Sequence, residues 1–254
     1  MDKRKQSLLY GYLDEMCLST IKKRYADIAQ SAQKNSWEYE EYLLEVLRQE
    51  SESRRTRRIE RLLKQSGLPL EKRLDTFEQK RLPLKVRQQL SVLLDGKFLD
   101  HHENILIFGN PGSGKTHLVC AIGYELIRQD KKVYFTNCAM LLQELLAAKR
   151  DLKLPRLFKK LNHYQAIIID DIGYVQQNKE EMEVLFTLLA ERYERGSVMV
   201  TSNLPFSKWE QIFKDPMMTA AAIDRIVHHS VILELNIPSY RMDKAKDRKV
   251  REGG

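Results

Sequence analysis

The first 75 residues place apolar side chains at intervals of three and four positions, the spacing of one face of a helix. One face is formed by Leu8, Leu9, Tyr12 and Leu13, and a second by Trp37, Tyr39, Tyr42, Leu43, Val46 and Leu47. A later arginine-rich stretch, residues 52–65, ends at Ser66-Gly67 with Pro69 just beyond, which is typical of a helix C-terminus. The pattern therefore predicts a small, all-helical domain over residues 1–75.

The pattern changes near residue 100, where short continuous apolar runs begin to alternate with helix-like segments. The runs cover residues 105–108, 133–136, 166–169, 197–201 and 231–234. Continuous apolar strands are typical of a parallel sheet that is covered on both faces. The sequence thus predicts an α/β domain with a five-stranded parallel sheet over residues 101–240. A linker and lead-in helix at 76–100 would precede it, and a basic tail at 241–254 would follow.

A phosphate-binding motif follows the first predicted strand, and it reads Gly109-Asn110-Pro111-Gly112-Ser113-Gly114-Lys115-Thr116. It fits GxxxxGK[ST] in full and opens a helix predicted over 116–129, so that backbone N–H groups and the helix N-terminus would face an anion. We expect Lys115 to reach the β- and γ-phosphates of ATP and Thr116 to ligate Mg²⁺, and we count His117 among the nucleotide-binding residues. The alternative is a chance match in a Gly-rich turn, which the strand–helix context disfavours.

Two carboxylates, Asp170 and Asp171, end the third apolar run. A carboxylate at the tip of a strand near the phosphate loop is the usual holder of magnesium in such sites. We expect Asp170 to bind Mg²⁺ through water and Asp171 to polarise the attacking water. An ordinary boundary between a strand and a loop is the alternative, and the motif about 50 residues upstream favours the functional interpretation.

Two further polar residues follow the later strands. Asn203, after the run 197–201, is placed to hydrogen-bond the attacking water or the γ-phosphate, although an Asn–Leu–Pro turn would need the same residue. Arg225 could neutralise charge on a nucleotide bound by a neighbouring subunit. From the residues alone, we expect instead an ion pair with Asp224 on the surface of a helix.

The formal net charge of +8 favours an anionic partner, of which nucleic acid is the usual one. The basic residues concentrate in two clusters, residues 54–64 and an amphipathic helix predicted over 149–160. Solvated helix surfaces are the alternative for both clusters. The candidate DNA-contacting residues are Arg54, Arg55, Arg57, Arg58, Arg61, Lys149, Arg150, Lys153, Arg156, Lys159 and Lys160.

Other classes of protein find little support. No apolar run approaches the roughly 20 residues that a membrane helix needs, and no apolar segment typical of a secretory signal follows the basic N-terminus. Cys17, Cys120 and Cys138 are too scattered to indicate a disulfide framework or a zinc site. We therefore expect a cytoplasmic protein.

Taken together, the motifs resemble those of an AAA+ ATPase of the initiator and helicase-loader type. The chain is most similar to the IstB-like helper ATPases of bacterial transposition, relatives of the DnaC-like helicase loaders. The similarity covers nearly the whole chain and rests on NILIFGNPGSGKTHLVCAIG, YFTNCAMLLQEL, AIIIDDIGY, VMVTSNLPFSKWEQIFKDP and AAIDRIVHHS.

This resemblance implies a role for each candidate residue. It makes Lys115 and Thr116 the Walker A pair, Asp170 and Asp171 the Walker B pair, Asn203 sensor 1 and Arg225 the arginine finger. It also matches the basic helix at 149–160 to the extra helix with which the initiator branch contacts DNA. Arg241 is either a sensor 2 arginine or the start of the basic tail, and roles for His228 and His229 stay open.

The sequence thus predicts an ATP-dependent helper that assembles as a homo-oligomer on duplex DNA, remodels it and recruits or stimulates a transposase. Mg²⁺-dependent hydrolysis would be stimulated by DNA and completed between subunits. Two alternatives remain, namely a DnaC-like loader of a replicative helicase and a nucleotide-gated scaffold that scarcely hydrolyses ATP.

Overall fold

The computed structural model describes residues 2–173, 178–213 and 215–240. These residues belong to two compact units, which divide between Arg61 and Leu62. Arg241 and the predicted tail at 241–254 lie outside the described residues. Within the described ranges, no helix has the length and apolarity needed to cross a membrane.

The first unit is helical, as predicted. It contains α1 (Lys3–Glu15), α2 (Ser19–Lys34) and most of α3 (Tyr39–Ser66). Its core is small and consists of Leu13, Ile21, Ile28 and Val46. Fewer residues of the two predicted apolar faces are buried than the sequence suggested. The residues that this leaves exposed are Leu8, Tyr12, Tyr39, Leu43 and Leu47.

A buried carboxylate on α3 accepts hydrogen bonds from the start of α2. Glu50 is only 3% exposed and accepts hydrogen bonds from the backbone N–H groups of Thr20 (2.8 Å) and Ile21 (3.0 Å), which α2 itself cannot satisfy. Arg54 pairs with the same carboxylate at 2.8 Å, and Arg57 donates to Ser19 Oγ at 3.1 Å. Two of the candidate DNA-contacting arginines therefore also stabilise the helical unit.

The second unit begins with the end of α3 and a stretch of short helical segments. Gly67, in the left-handed region at φ 71°, stops α3 where the sequence predicted. A 3₁₀ turn (Gln79–Arg81), α4 (Leu84–Leu93) and a second 3₁₀ turn (Lys97–His101) then lead to the sheet.

The sheet has five parallel strands in the order β2-β3-β4-β1-β5. Its strands are β1 (Asn104–Gly109), β2 (Val133–Asn137), β3 (Ala166–Ile172), β4 (Ser197–Ser202) and β5 (Ser230–Leu235). The helices that follow are α5 (Lys115–Arg128), α6 (Cys138–Arg150), α7 (Leu154–Leu161), α8 (Lys179–Arg192), α9 (Glu210–Phe213) and α10 (Pro216–Val227). The predicted five-stranded parallel sheet is therefore confirmed.

Helices cover both faces of this sheet. Leu106, Ile167 and Val200 pack with α6 and α8 in one cluster, whereas the alternate residue Ile168 faces Gly123 of α5. Burial on both faces explains why the strands are apolar at consecutive positions. The same arrangement places the carboxyl ends of all five strands at one edge.

The predicted basic helix at 149–160 is wrong in its extent. Helix α6 ends at Arg150 and α7 begins at Leu154, with Leu152 between them at φ 55° and 90% exposed. Pro155 has no N–H to donate, so it fits the first turn of α7 better than the interior of a continuous helix. The basic residues are therefore divided between two helices.

Candidate functional site

The phosphate-binding motif forms a tight loop between β1 and α5. Gly112 and Gly114 adopt φ angles of 79° and 94°, which residues with a Cβ rarely do, and a Cβ on Gly114 would meet the Phe77 ring at 3.1 Å. Lys115 is 6% exposed, and its Nζ donates to Gly109 O (2.9 Å) and Asn110 O (3.1 Å). The Lys115 ammonium group is therefore held inside the loop that is expected to bind the phosphates.

Two carboxylates stand beside this loop at the end of β3. Asp170 is 5% exposed, and burial raises the pKa of its carboxyl group, although hydrogen bonds from Thr201 and Thr116 and the charge of Lys72 act in the opposite direction. Asp171 is half-buried. The carboxylate of Asp170 is therefore within reach of the Thr116 hydroxyl, as the two proposed metal ligands need to be.

The loop, Asp171 and Asn203 line one cavity of about 310 Å³. The residues from the motif and the strand ends that line it are Pro111, Gly112, Ser113, Gly114, Lys115, Thr116, His117, Asp171 and Asn203. Three other predicted ligands, Gly109, Asn110 and Asp170, are within two positions of a lining residue in the chain but do not line the cavity themselves.

The remaining walls come from segments that sequence reasoning did not single out. Lys72, at the end of the predicted helical domain, and the start of the predicted linker contribute one wall, and residues after β5 contribute another. The lining residues from the linker and from the segment after β5 are Thr76, Phe77, Glu78, Arg81, Ile237 and Tyr240. No motif marks them. The sequence offers a weaker indication than a motif for these residues, namely the aromatic and basic side chains of a stretch that is predicted to be a linker.

These two walls are tied to the loop and to each other. His117 Nε2 lies 2.9 Å from Arg73 O, and the His117 ring meets the Phe77 ring at 5.0 Å. Across the cavity, the Tyr240 N–H donates to Gly112 O at 3.0 Å, and the Arg81 guanidinium stacks on the Tyr240 ring at 5.1 Å. The cavity thus has a phosphate end at the loop and an aromatic and cationic end that could enclose a base.

A magnesium–nucleotide complex fits these groups. Among the described residues the buried Ser113 Oγ has no hydrogen-bond partner, and it belongs to the loop that would surround a phosphate oxygen. The described part of the chain contains no cluster of three or more His, Cys, Asp or Glu side chains suited to a metal ion. That suits Mg²⁺, which proteins usually hold by one or two carboxylates together with the substrate's phosphates and water.

Arg225 lies at the opposite edge of the sheet. The residues just after Arg225 are bonded to the first residue of β1. Asn104 donates from its side chain to Ile226 O at 3.0 Å and from its backbone N–H to His229 O at 2.7 Å. The six residues of β1 separate this edge from the phosphate loop by about 17–20 Å. Arg225 therefore cannot contact a nucleotide bound by its own loop.

The surroundings of Arg225 also differ from the predicted ion pair. Its guanidinium lies 4.9 Å from the centre of the Phe186 ring and donates to Ala221 O at 3.0 Å, and no ion pair with Asp224 is found in the described part of the chain. His228 contacts the neighbouring His229 ring at 4.2 Å and the Tyr193 hydroxyl at 3.2 Å. Arg225 is thus partly buried, with a ring contact and a backbone hydrogen bond in place of the expected ion pair.

The basic residues of the 149–160 region fall into two groups. Lys149, Lys153 and Lys160 pair with nearby carboxylates at 3.3, 3.0 and 3.2 Å. Arg150, Arg156 and Lys159 are exposed, and no ion pair is found for them among the described side chains. The second group has the greater free positive charge to offer to a phosphate backbone.

Comparison with known proteins identifies the family. Residues 12–248 match the model of the "IstB-like ATP binding protein" family. A relative from Sinorhizobium fredii is 40% identical over 242 residues, covering 95% of this chain and 81% of its own, and one from Geobacillus stearothermophilus is 33% identical over 244 residues, covering 96% of each. Both are described as insertion sequence ATP-binding proteins.

Solved structures share the fold. AMPPCP-bound DnaA from Aquifex aeolicus matches with a TM-score of 0.55 at 15% identity, over 73% of this chain and 56% of that one. DnaI also matches with a TM-score of 0.55, at 18% identity, over 66% and 94% of the two chains. The chain, with its phosphate loop and its 2-3-4-1-5 parallel sheet, therefore belongs to the IstB-like ATP-binding protein family.

Proposed function

We propose that this protein is the ATP-hydrolysing helper of an insertion sequence, which assembles on duplex DNA and recruits or stimulates a transposase. The observation that carries the proposal is the division of the site between the two edges of the sheet. The loop, both carboxylates and Asn203 lie at one edge, and Arg225 lies at the other. A complete hydrolytic site then needs two copies of the chain.

The chain's own groups have separate roles in this proposal. Lys115 and the loop N–H groups hold the phosphates, and Asn203 and Asp171 orient the attacking water from the far side of the cavity. Thr116 and Asp170 would hold Mg²⁺, which supplies positive charge to the phosphate oxygens. Arg225 from the next subunit would neutralise the negative charge that builds as the γ-phosphoryl group passes to water and ADP leaves.

ATP-dependent assembly follows from this arrangement. A nucleotide that contacts one subunit through the loop and the next through Arg225 stabilises the contact between them, because it binds the assembled form more tightly than the separate chain. Assembly places many copies of the exposed bases Arg150, Arg156 and Lys159 on one polymer. Their contacts with phosphates would then add along the DNA, without reading its sequence.

The partner is argued from the relatives. The similar proteins of 40% and 33% identity carry the descriptions of insertion sequence proteins, which favours a transposase over a replicative helicase as the partner of this chain. The similarity to DnaI is a similarity of fold, and it therefore does not favour the loader.

One experiment tests the core of the proposal. ATP hydrolysis and particle size are measured for the full chain with and without duplex DNA, and with Lys115→Ala as the matched control. We expect ATP and DNA together to give large particles and faster hydrolysis, and the control to give neither. Wild-type particles that stay monomeric with ATP and DNA would refute shared sites, and equal responses to duplex and single strands would favour the loader.

A further inference from the structure

A bulge interrupts β3 where its two carboxylates stand. The pairing of β3 with β4 runs in register up to Ile169 opposite Val200, and it resumes at Ile172 opposite Ser202. Two residues of β3, Asp170 and Asp171, therefore stand against a single residue of β4, Thr201. Such bulges are uncommon between parallel strands, and they redirect side chains near functional sites.

The Thr201 hydroxyl fills the gap that the bulge leaves in the hydrogen-bond ladder. It donates to Asp170 Oδ1 at 2.6 Å and accepts from the Asp171 N–H at 2.8 Å. A hydroxyl has one proton to donate and lone pairs to accept, so a single side chain can serve both aspartates. Thr201 is fully buried, so water cannot easily replace either bond.

The Asp171 backbone needs this support. Its φ of 58° lies in the left-handed region, which costs a residue with a Cβ on the order of 1–3 kcal/mol and persists only where neighbouring contacts fix it. In this conformation Asp171 lines the nucleotide cavity, whereas Asp170 turns to Thr201 and to the side of Thr116. In a regular strand the two aspartates would point to opposite faces of the sheet, so the bulge is what lets both of them stand beside the phosphate loop.

The next residue of β4 adds a second fastening. Ser202 Oγ donates to Ile172 O at 3.0 Å, just past the bulge, and Asn203 follows at the cavity wall. The end of β4 thus holds the carboxylates of β3 through side-chain hydroxyls and also carries the polar residue expected to meet the γ-phosphate.

We propose that Thr201 is the positioning residue for both strand-end carboxylates, fixing Asp170 for the metal ion and Asp171 for the attacking water. The inference rests on the proposed ATPase function and extends it to a residue that would not itself touch the nucleotide. A hydroxyl at this position is then required for the metal to bind well and for hydrolysis, whereas metal-free nucleotide binding depends on the loop and the other cavity walls.

The test compares Thr201→Val, which removes the hydroxyl at nearly constant volume, with Thr201→Ser, which keeps it. Thr219→Val serves as the matched control, because Thr219 is also buried and, among the described residues, its hydroxyl bonds only to the O atom of Asp215, the residue just before its own helix α10. Two quantities are measured in each full-length protein. The first is the ratio of ATP affinities with and without Mg²⁺, supported by direct Mn²⁺ binding to the nucleotide complex, and the second is kcat and KM for hydrolysis.

We expect Thr201→Val to lower both the metal-dependent gain in affinity and kcat by about tenfold or more, since it removes a hydrogen bond to a charged group. Its metal-free ATP affinity and its KM should stay within about threefold of wild type, and Thr201→Ser should restore both losses. Thr219→Val should match wild type in every measurement.

Three outcomes would overturn the proposal: wild-type metal dependence and kcat in Thr201→Val, equal losses in the valine and serine variants, or the same losses in Thr219→Val. If Thr201→Val fails to fold, Thr201→Ala against Thr201→Ser gives the same comparison. A wild-type protein that binds metal and nucleotide without hydrolysing ATP would contradict the proposed ATPase instead, and the metal-binding ratio would still decide the role of Thr201.

Discussion

The two edges of the sheet differ in what they collect, although they are opposite ends of the same five strands. The carboxyl edge gathers the phosphate loop, Asp171 and Asn203 around one cavity. The amino edge gathers two arginines with different partners, Arg192 and Arg225. The carboxyl edge thus holds the groups expected to meet an anion, and in the proposed function the amino edge supplies Arg225 to a neighbouring subunit.

The two arginines of the amino edge show how burial separates structure from function. Arg192 is 1% exposed and donates to four backbone carbonyls, those of Leu161, Tyr164, Gln165 and Ser197. Burial lowers the pKa of its guanidinium to about 10, so it remains charged at neutral pH. Arg225 is only partly buried beside the Phe186 ring, and in the proposed function its charge acts on the nucleotide of a neighbouring subunit.

The strongest way to break this comparison is to remove Arg225. We expect Arg225→Ala to lower the rate of hydrolysis by about 1,000-fold, the effect of losing an arginine finger, while leaving ATP affinity of the isolated chain nearly unchanged. The affinity of the monomeric variant for ATP should not change, because Arg225 lies a full strand length from the phosphate loop of its own chain. The measurement is single-turnover hydrolysis together with nucleotide binding at concentrations where the chain is monomeric.

Mixing two inactive variants provides the control. Arg225→Ala keeps an intact cavity and Asp171→Asn keeps an intact arginine, so a mixed assembly contains some complete sites. Hydrolysis should reappear on mixing. Its failure to do so, with mixed assembly verified, would contradict the assignment of the two edges to neighbouring subunits.

The converse variant acts at the carboxyl edge. Lys115→Ala should weaken ATP binding by about 100-fold, because a charge-assisted contact with the phosphates is lost. The fold should persist, since Lys115 donates to the backbone carbonyls of its own loop, Gly109 O and Asn110 O. Equilibrium binding of a fluorescent ATP analogue measures the effect, and wild-type affinity would show that the loop is not the phosphate site.

Arg192 should report on stability alone. Arg192→Met removes the donor from four carbonyls and should lower the free energy of unfolding of its unit by about 2 kcal/mol. Lys208→Met, an exposed residue, is the matched control. Denaturant unfolding monitored at Trp209, which is buried in the same unit, measures the change; a large loss of hydrolysis without loss of stability would contradict the structural role.

The smallest effect is expected from the basic surface. Replacing Arg156 and Lys159 by glutamine should reduce the slope of log affinity for duplex DNA against log salt by about 2, one unit for each lost phosphate contact. The control pair, Lys149→Gln with Lys160→Gln, should change the slope less, because carboxylates already neutralise those lysines. Equal changes in the two pairs would show that the local ion pairs do not decide DNA contact.

Sequence patterns predicted the secondary structure that depends on local chemistry. All five strands were predicted within a few residues, because burial on both faces makes them continuously apolar. The break at Leu152 was missed, since the basic and leucine residues of 149–160 keep a helical spacing across it. Pro155 was the signal for the second helix start.

Other features depend on contacts between residues distant in the chain. The linker's contribution to the cavity was missed because Phe77 and Arg81 acquire a role only when the loop and Tyr240 come to them. In the sequence, Glu50 is one of several acidic residues in a charged helix. Its buried role depends on the N-terminus of α2, whose N–H groups donate to it in the folded unit.

The sequence by itself determined the chemical groups of the site, since the loop, the two aspartates, Asn203 and Arg225 stand in short segments whose spacing reflects local turns and strand ends. Only the tertiary structure decided which of them share a cavity and which lies at the far edge. The parallel pairing of β5 with β1, which puts Arg225 at the far end of β1 from the loop, and the bulge that places two aspartates against one threonine both come from pairing between strands remote in sequence. No local pattern records that pairing.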